Sequence, residues 1–446
     1  MIGRDPLSVL LWAFLVLTGA CQKPVELARR PNILLILADD VGREVLGSYG
    51  GTSYETPHLD HLATTGMRFD HSYSMPVCHP SRITLLTGRY PFQVGNPEWG
   101  TFPQTSETQT VAHSLRAAGY ITAISGKWQL TLLKDDLDHP HRLGFDEYCL
   151  FGWHEGPRYY QPLIYQNGQQ RDDDDDRYGP EVYTDFLIDF IERNQDRRFF
   201  AFYSMALCHD VTDDLEAPVP FGPRGRYDNY AEMVAVMDKQ IGRLVAAVND
   251  LGLREKTLIL FTTDNGTAKR SIITAEDGKL IREDVVSRLG EILVPGGKTE
   301  LTDGGTRVPS IANWTGTVKK GALLEDLIDF SDFFPTLVEL GGAKLPSGVS
   351  LPGKSFAPGL RGEPRVGRDW VFAEHKGKSW VRSRDWKLYR DGRLFHMASD
   401  SQEQRPVDAG ARKGAAEARR SLEAVLQNLF DTQVEATNSS PVNAPH

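Results

Sequence analysis

Two continuous apolar runs, each followed by a pair of polar residues, constrain the fold of this chain more than any other feature. The first run, residues 31–38, ends in Asp39-Asp40, and the second, residues 258–262, is followed closely by Asp264-Asn265. Continuous apolar runs are typical of strands that are covered on both faces, as in parallel sheets. Because ligands collect beyond the carboxyl ends of such strands, we expect the two pairs to bring four oxygen ligands to one place.

The remaining pattern of the large N-terminal part alternates between strands and helices. We predict further strands at residues 122–125 and 199–205, and helices at residues 110–118, 181–193 and 230–250. This alternation predicts an α/β fold with a large mixed, mostly parallel sheet flanked by helices.

A change of composition after Leu345, to a segment rich in Pro and Gly, indicates a second and smaller unit. Short strands are predicted at residues 370–373, 379–382, 386–389 and 394–396, followed by a helix at residues 415–430. The expected division is a catalytic domain at residues 31–355, a C-terminal unit at 356–431 with an antiparallel sheet and one helix, and a disordered tail at 432–446.

The N-terminus has the pattern of an export signal. Arg4 precedes the apolar run of residues 7–17, and small residues then lead to Cys21. Residues 1–20 are therefore predicted to be the signal and residues 21–30 a linker. Cleavage after Ala20 would leave Cys21 first, so two outcomes stay open, namely a lipid-anchored protein and a secreted or periplasmic one.

The net charge restricts the expected partners, and the cysteine content restricts the possible disulfides. The net charge of -10 is unfavourable for binding nucleic acid, so any anion site must be local. A membrane is expected as a partner only through a lipid on Cys21. Of the four cysteines, Cys149 and Cys208 belong to no motif, and they either pair or pack in the core.

A long excursion at residues 152–178 holds five consecutive aspartates, residues 172–176. We interpret this run as a solvated loop, since it lacks the glycine spacing and bidentate glutamate of a calcium loop. The aromatic residues of the excursion either line a sugar-binding cleft or pin a surface loop, and they are Trp153, His154, Tyr159 and Tyr160.

The segment Cys78-His79-Pro80-Ser81-Arg82 is typical of the start of a helix. Pro80 suits the first helical turn, and Gly88 supplies a C-terminal stop. Cys78 is then predicted at the N-cap, where it faces unpaired backbone N–H groups, with Arg82 on the same face. The segment therefore predicts an anion pocket that contains a modifiable thiol.

This segment, followed by Leu86-Thr87-Gly88-Arg89, resembles the signature of the type I sulfatases of the alkaline-phosphatase-like superfamily. In that family the cysteine is oxidised after translation to formylglycine, an aldehyde. The resemblance covers essentially the whole mature chain. It implies an alkaline-phosphatase-like fold, hydrolysis of sulfate esters, and a formylglycine-generating enzyme as a partner during maturation.

The resemblance also implies one divalent cation, usually calcium. Its ligands in the family are an aspartate pair after the first strand, the modified cysteine and a later Asp-Asn pair. In this sequence the corresponding residues are Asp39, Asp40, Cys78, Asp264 and Asn265. Oxygen ligands suit a hard cation, and the sequence has no His/Cys cluster with zinc spacing.

Other matched positions imply roles toward the sulfate. Lys127 stands in the family's Gly-Lys-Trp motif, and Lys298 precedes a segment that contains Arg307, which contacts either substrate or backbone. With calcium and Arg82, the two lysines are expected to neutralise charge at sulfur, and His209 is expected to protonate the leaving alcohol. The hydrated aldehyde at Cys78 is the expected nucleophile.

One position departs from the family pattern. Gly-Lys-Trp is normally followed by a histidine that is thought to deprotonate the second hydroxyl of the nucleophile, and here Gln129 stands in its place. Glutamine can hydrogen-bond that hydroxyl but cannot accept its proton.

Three functions therefore stay open at this stage. The first is a calcium-dependent sulfatase that acts on a sulfated small molecule or glycan. The second is a phosphodiester or phosphonate hydrolase with the same modified cysteine. The third is a non-catalytic lipoprotein that binds sulfated glycans.

Overall fold

The fold comes from a computed structural model, which describes residues 30–153, 155–172, 177–210, 229–276, 279–408 and 410–438. Its helices are α1 Pro57–Thr65, α2 Cys78–Thr87, α3 Val111–Ala117, α4 His139–Arg142, α5 Gly179–Arg193, α6 Tyr230–Asp250, α7 Asp303–Thr306, α8 Phe333–Gly341, α9 Ala357–Leu360 and α10 Ala415–Asn438. Its strands are β1 Asn32–Ala38, β2 Met67–Tyr73, β3 Ile121–Lys127, β4 Glu147–Phe151, β5 Tyr165–Gln166, β6 Gln169–Gln170, β7 Phe199–Ser204, β8 Thr257–Thr263, β9 Arg270–Glu276, β10 Lys279–Asp284, β11 Val286–Leu289, β12 Ile292–Pro295, β13 Ser310–Asn313, β14 Ala322–Asp329, β15 Val371–His375, β16 Lys378–Arg382, β17 Trp386–Tyr389 and β18 Leu394–His396.

A mixed sheet of ten strands forms the centre of the described fold, in the order β14-β2-β13-β8-β1-β7-β3-β4-β5-β6. Strand β1 pairs in parallel with β7 and β8, and β3 pairs in parallel with β7 and β4. Strand β13 is antiparallel to both of its neighbours. The predicted α/β class, with a mixed and mostly parallel sheet, is confirmed.

The two apolar runs of the sequence are neighbouring strands of this sheet. Every residue of β1 and of β8 is buried, as expected for strands covered on both faces. Ala38 pairs with Thr263 at the end of the ladder. The residues that follow, Asp39 and Asp264, therefore leave the sheet side by side.

Alternate side chains of β1 enter two separate cores. Leu34 and Ile36 pack on one face with residues of α5 and α6. Ile33 and Leu35 pack on the other face with residues of α2, α3 and α8. Helices on both faces keep water from the sheet, so a polar side chain that follows β1 or β8 lies in a largely dry environment.

The C-terminal unit is a four-stranded antiparallel sheet, β15-β16-β17-β18, with α10 packed against it. Its core includes Trp380 and Leu388 and also Tyr73 and Phe92 of the large domain, so the two units share one apolar interface. The boundary predicted between residues 355 and 356 falls just before α9, which packs in the core of the large domain.

Helix α10 and the segment before β13 differ from the sequence prediction. The tail was predicted to be disordered from Thr432, whereas α10 continues to Asn438, and residues 439–446 lie outside the described residues. Two antiparallel hairpins, β9-β10 and β11-β12, were not predicted. Charged and apolar residues do not alternate clearly in these strands. Such alternation is the signal by which a sequence pattern identifies a strand.

Several other expectations fall partly or wholly outside the described residues. These are the export signal, the linker up to residue 29, Cys21, His154 and residues 173–176 of the aspartate run. Cys149 and Cys208 are buried and are not joined by a disulfide, so the second of the two alternatives for them holds.

None of the helices in the described part of the chain combines the length and the apolar character that a bilayer-spanning segment requires.

A buried ion cluster ties the C-terminal unit to the large domain. Arg368 lies 2.5 Å from Asp329 and 3.2 Å from Asp332, and all three side chains are at most 2% exposed. Removing one member of a buried ion pair is costly because the other charge is left without a partner.

We therefore predict that Arg368→Ala lowers the free energy of unfolding by about 3–5 kcal/mol, since Asp329 and Asp332 lose their cation. The matched control is Arg384→Ala, because Arg384 forms an exposed pair with Glu325 at 3.5 Å and such pairs contribute about 1 kcal/mol or less. Urea unfolding followed by circular dichroism measures both. Equal stability of Arg368→Ala and the control would contradict the prediction.

Candidate active site

The carboxyl ends of four central strands place the polar residues of the site. Asp39-Asp40 follows β1, Asp264-Asn265 follows β8, Lys127 ends β3, and His209 lies a few residues after β7. Backbone hydrogen bonds join these loops, since Asp39 N–H donates to the Leu207 carbonyl at 2.8 Å and Asp264 N–H donates to the Ala38 carbonyl at 3.1 Å. The sheet register therefore fixes their mutual positions.

Helix α2 brings Cys78 to this edge of the sheet. The helix begins at Cys78 and Val77 is its N-cap, so the predicted N-cap position of Cys78 is wrong by one residue. Gly88 is the C-cap, in the left-handed conformation with φ 67°, as predicted. Cys78 is fully buried, and its Sγ lies 3.3 Å from Asp39 Oδ1 and 4.0 Å from Asp40 Oδ1.

Four of the predicted metal ligands form one compact cluster. Ligand atoms of Asp39, Asp40, Cys78 and Asp264 all lie within 4.8 Å of one another, and all four residues are buried. Asn265 joins them, because its Nδ2 donates to Asp40 Oδ1 at 2.7 Å. Its Oδ1 is buried and accepts no hydrogen bond within the described residues. A buried oxygen without a donor, beside three carboxylates, is suited to a hard cation.

Each carboxylate of the cluster is paired with a cation. Lys127 Nζ contacts Asp39, Arg82 Nη2 lies 2.9 Å from Asp264 Oδ2, and Lys298 Nζ lies 2.7 Å from the Asp40 carboxylate. Lys127 and Arg82 are buried, whereas the Lys298 side chain is 17% exposed. The three cations predicted from the sequence are thus all in the site.

These charges change the protonation of the cluster. Burial alone would raise the pKa of Asp39, but the charges of Lys127, His209 and Arg82 outweigh it and hold that pKa well below its usual range. Burial, together with the charge of Asp39, raises the pKa of Asp264 to about 6. Burial and the carboxylates of Asp264 and Asp39 raise the pKa of the Cys78 thiol well above its usual value. The unmodified thiol is therefore protonated at neutral pH.

Arg82 is held in place by groups on two strands. Besides Asp264, its guanidinium donates to Ser204 Oγ, and Ser204 donates in turn to the Lys127 carbonyl at 2.6 Å. Ser204 was not predicted as a site residue. The available signal was its place at the end of β7, which matches that of Lys127 at the end of β3.

Lys298 is positioned by a loop with close backbone contacts. Its N–H donates to the Thr267 carbonyl at 2.9 Å, and the next residue, Thr299, donates to the Pro76 carbonyl at 2.8 Å, just before Cys78. A Cβ at Gly297 would lie 2.3 Å from the backbone of Gly304, so glycine is required there for the loop to close. Arg307 donates to the Asp70 carbonyl, which favours the backbone-holding role for this residue.

His209 lies beside an aromatic side chain of the long excursion. The Trp153 ring is 5.1 Å from the imidazole, and Lys127 Nζ is 4.6 Å from the same Trp153 ring. Tyr159 donates from its hydroxyl to the carbonyls of Ala206 and His209 at 2.8 and 2.7 Å. Trp153 therefore lies beside the site and Tyr159 holds the His209 loop, while the sugar-binding cleft stays a prediction.

Gln129 is fully buried and has an unusual backbone conformation, with φ 58°. Neither its Oε1 nor its Nε2 has a hydrogen-bond partner among the described residues, and no hydrogen bond joins it to the metal-ligand cluster. Buried amides are normally paired. Gln129 is close to Lys127 because only Trp128 separates them in the sequence. Its contact with substrate stays a prediction.

The comparisons with known proteins agree with this geometry. The sulfatase family model matches residues 31–343. N-acetylgalactosamine-6-sulfatase of Canis lupus familiaris is 30% identical over 426 residues, which are 85% of this chain and 77% of the relative. Arylsulfatase A of Homo sapiens is 31% identical over 378 residues, which are 78% of this chain and 71% of the relative.

A solved structure, described as the crystal structure of Ps i-CgsB, superimposes with a TM-score of 0.71. It is 25% identical in sequence, and the match covers 89% of this chain and 92% of that chain. Three findings lead to one conclusion. They are the fold, the edge of the sheet that carries the buried acids, and the family match along most of the chain. The chain belongs to the sulfatase family, the sulfuric ester hydrolases of the alkaline-phosphatase-like superfamily.

Proposed function

We propose that this protein is an exported, calcium-dependent sulfatase that hydrolyses sulfate esters of carbohydrates, with Cys78 converted to formylglycine. The observation that carries the proposal is the position of Cys78. Its sulfur is buried at the start of α2, 3.3 Å from Asp39, among carboxylates that are each paired with a cation. A side chain in this position would contact both an anionic ester and a hard cation bound at the site.

The residues that would hold calcium are Asp39, Asp40, Asp264, Asn265 and the modified residue 78. The unpartnered Oδ1 of Asn265 and the carboxylate oxygens of the three aspartates support this assignment. Calcium, when bound, supplies positive charge that stabilises the negative charge of the reacting sulfate group.

The charges of the site support an anionic substrate. The carboxylates of Asp39, Asp40 and Asp264 are balanced by Arg82, Lys127 and Lys298, so the cluster is neutral by itself. A divalent cation would leave a net charge of +2, which favours binding of a sulfate ester and of the charge that develops during its cleavage.

The protonated thiol supports the modification. A thiol whose pKa is raised well above its usual value is a weak nucleophile, because the thiolate is the reactive form. Formylglycine, once hydrated, supplies an oxygen nucleophile at the same position. Arg82, fixed by Asp264 and Ser204, is then placed to bind the sulfate oxygens beside it.

His209 is the proposed general acid for the leaving alcohol. Its Nδ1 lies 3.3 Å from the Asp210 carbonyl oxygen and 3.2 Å from the Asp210 carboxylate, and Trp153 packs edge-on to the ring, so two contacts hold the imidazole. An imidazole held through Nδ1 has Nε2 available to give a proton to the substrate.

Two features support a carbohydrate substrate. A relative at 30% identity is named for a sulfated amino sugar. Trp153 lies beside the site, and Trp99, whose ring lies 5.7 Å from that of Trp153, is 45% exposed. Aromatic side chains in a cleft provide apolar surface for the faces of sugar rings. The predicted export signal at the N-terminus supports export. The exported protein would be periplasmic, secreted or anchored to a membrane by a lipid.

The experiment that tests this function compares sulfate and phosphate esters of the same alcohol, with protein purified from its native host. Release of sulfate with little release of phosphate supports the proposal. Preference for phosphodiesters or phosphonates would support the second enzymatic function, and binding of sulfated glycans without turnover would support the third.

We predict that Cys78→Ala abolishes turnover without unfolding the protein, since the nucleophile is removed but only a small side chain is lost. The control is Cys149→Ala, because Cys149 is another buried cysteine and lies in the core outside the site. Sulfate release and thermal melting are measured for both, and mass spectrometry of the peptide with residue 78 reports the aldehyde. Full activity of Cys78→Ala, or an unmodified thiol in active enzyme, would refute the nucleophile assignment.

Calcium is predicted to raise thermal stability, because a ligand that binds only the folded protein stabilises it by about 2.7 kcal/mol at a hundred times its Kd. Each of the three carboxylates has a cation partner, so the expected loss on chelation is limited to the binding energy of the ion.

Thermal melting with chelator and with added calcium measures this effect independently of activity. Asp264→Asn serves as the variant that should lose the response, because it removes one ligand charge. A melting temperature of the wild type that is the same with chelator and with calcium would contradict the metal site.

Gln129 is predicted to slow the release of sulfate, because general acid–base assistance is worth roughly a hundred- to ten-thousand-fold. A fast substrate should then give a burst of alcohol followed by slower turnover, and Gln129→His should raise the steady rate and reduce the burst. Histidine is among the residues that tolerate a positive φ. Gln129→Leu is the control, since it has a similar size but no base.

Another histidine that replaced the missing base would remove this effect. Burial lowers the pKa of His79 to about 4, and its Nε2 lies 2.7 Å from the Thr101 carbonyl, so it is neutral. No burst in the wild type and no gain in Gln129→His would contradict the slow release of sulfate, with His79 and His154 as candidates for the replacing base.

A further inference from the structure

A large cavity lies between the catalytic domain and the C-terminal unit, next to the proposed sulfate site. Its volume is about 970 Å³, which is typical of sites for ligands much larger than a sulfate group. His79, Trp99 and Lys298 line it on the side of the catalytic domain, and Lys376 and Arg390 line it on the side of the C-terminal unit. Because Lys298 also contacts Asp40, the cavity borders the metal-ligand cluster.

Two cations of the cavity form no ion pair within the described part of the chain. Lys298 is engaged by Asp40, but neither Lys376 nor Arg390 has an ion pair among the described residues, and both are exposed. The Arg390 guanidinium lies 4.2 Å from the centre of the Phe430 ring, and its backbone N–H donates to the Ser379 carbonyl at 2.9 Å. Arg390 is therefore held at the cavity wall with its N–H donors available.

The acid of the cavity lining offsets these charges only in part, because the charge of Arg390 acts on Glu374 without a close ion pair. Glu374 accepts a hydrogen bond from Phe92 N–H at 2.9 Å, and no ion pair joins it to Arg390 in the described structure. Burial raises the pKa of Glu374 to about 7, so it carries only part of a negative charge at neutral pH.

The remaining wall of the cavity is apolar and suits a sugar chain. Trp99 is 45% exposed at this wall, beside Pro97 and Phe92. Apolar walls with a few placed charges are typical of ligand sites. A guanidinium binds the planar pairs of oxygen atoms of carboxylates, and it also binds the oxygen atoms of oxyanions such as sulfate.

We propose that Arg390 and Lys376 bind a second anionic group of the substrate, so that the enzyme selects sulfated oligosaccharides in which a neighbouring sugar carries a carboxylate or another sulfate. This inference rests on the proposed function and names its substrate class. The catalytic domain contributes the group that cleaves the ester, and the C-terminal unit contributes the group that selects the neighbouring sugar.

The test uses three disaccharides that share one sulfated amino sugar and differ in the second sugar, which is neutral, a uronate or itself sulfated. For the wild type, kcat/KM should be about two- to fivefold higher for an acidic second sugar, which is the range expected for exposed charge pairs. Arg390→Gln and Lys376→Gln should raise KM for the acidic disaccharides and leave the neutral one unchanged. Arg393→Gln is the control, because Arg393 is also exposed but is paired with Asp391.

Calorimetric binding of the same disaccharides to the calcium-loaded protein separates the two proposals. If no disaccharide releases sulfate, the proposed function fails, but tighter binding of the acidic pair that is lost in Arg390→Gln would still support this inference. Equal kcat/KM and equal affinity for neutral and acidic disaccharides would overturn it. A preference for only one acid identifies the second group as a carboxylate or a sulfate.

Discussion

Three acid–cation pairs, two of them buried and one partly exposed, determine the geometry on which the rest of this site depends. Lys127 with Asp39, Arg82 with Asp264, and Lys298 with Asp40 join three strand ends, one helix and one loop. Charges in such a dry environment are stable only when they are paired and hydrogen-bonded, so each pair fixes the element that carries it. The sheet brings the acids together, and the acids then hold the cations around the start of α2.

Much of the fold and of the site could be predicted from the sequence because its signals are local. Continuous apolar runs located β1 and β8, and the polar residues that follow them located one edge of the sheet. Matched motifs supplied Cys78, Arg82 and Lys127. The position of Cys78 within its helix was wrong by one residue, because the end of a helix depends on the backbone of the preceding strand and loop as well as on residue type.

The parts that could not be predicted depend on contacts between distant segments. Ser204 reaches the Lys127 carbonyl only because β7 lies beside β3, and Arg390 reaches the cavity only because the C-terminal sheet packs on the catalytic domain. The loop of Lys298 is a third example. Asp303, at its end, lies 2.8 Å from Arg382 of the C-terminal unit. The smaller unit therefore braces a loop of the site, which composition and periodicity do not indicate.

The complete burial of Cys78 has a consequence for the order of events in the life of the protein. A side chain without exposed surface, closed in by Asp39, Asp264 and the wall of α2, is out of reach of any other enzyme once the fold has formed. The proposed conversion of this residue to formylglycine would therefore have to precede folding. A chain that folds too early would keep its thiol permanently, since the same pairs that make the site rigid also prevent a later correction. Faster folding would then lower the yield of protein with a modified residue 78.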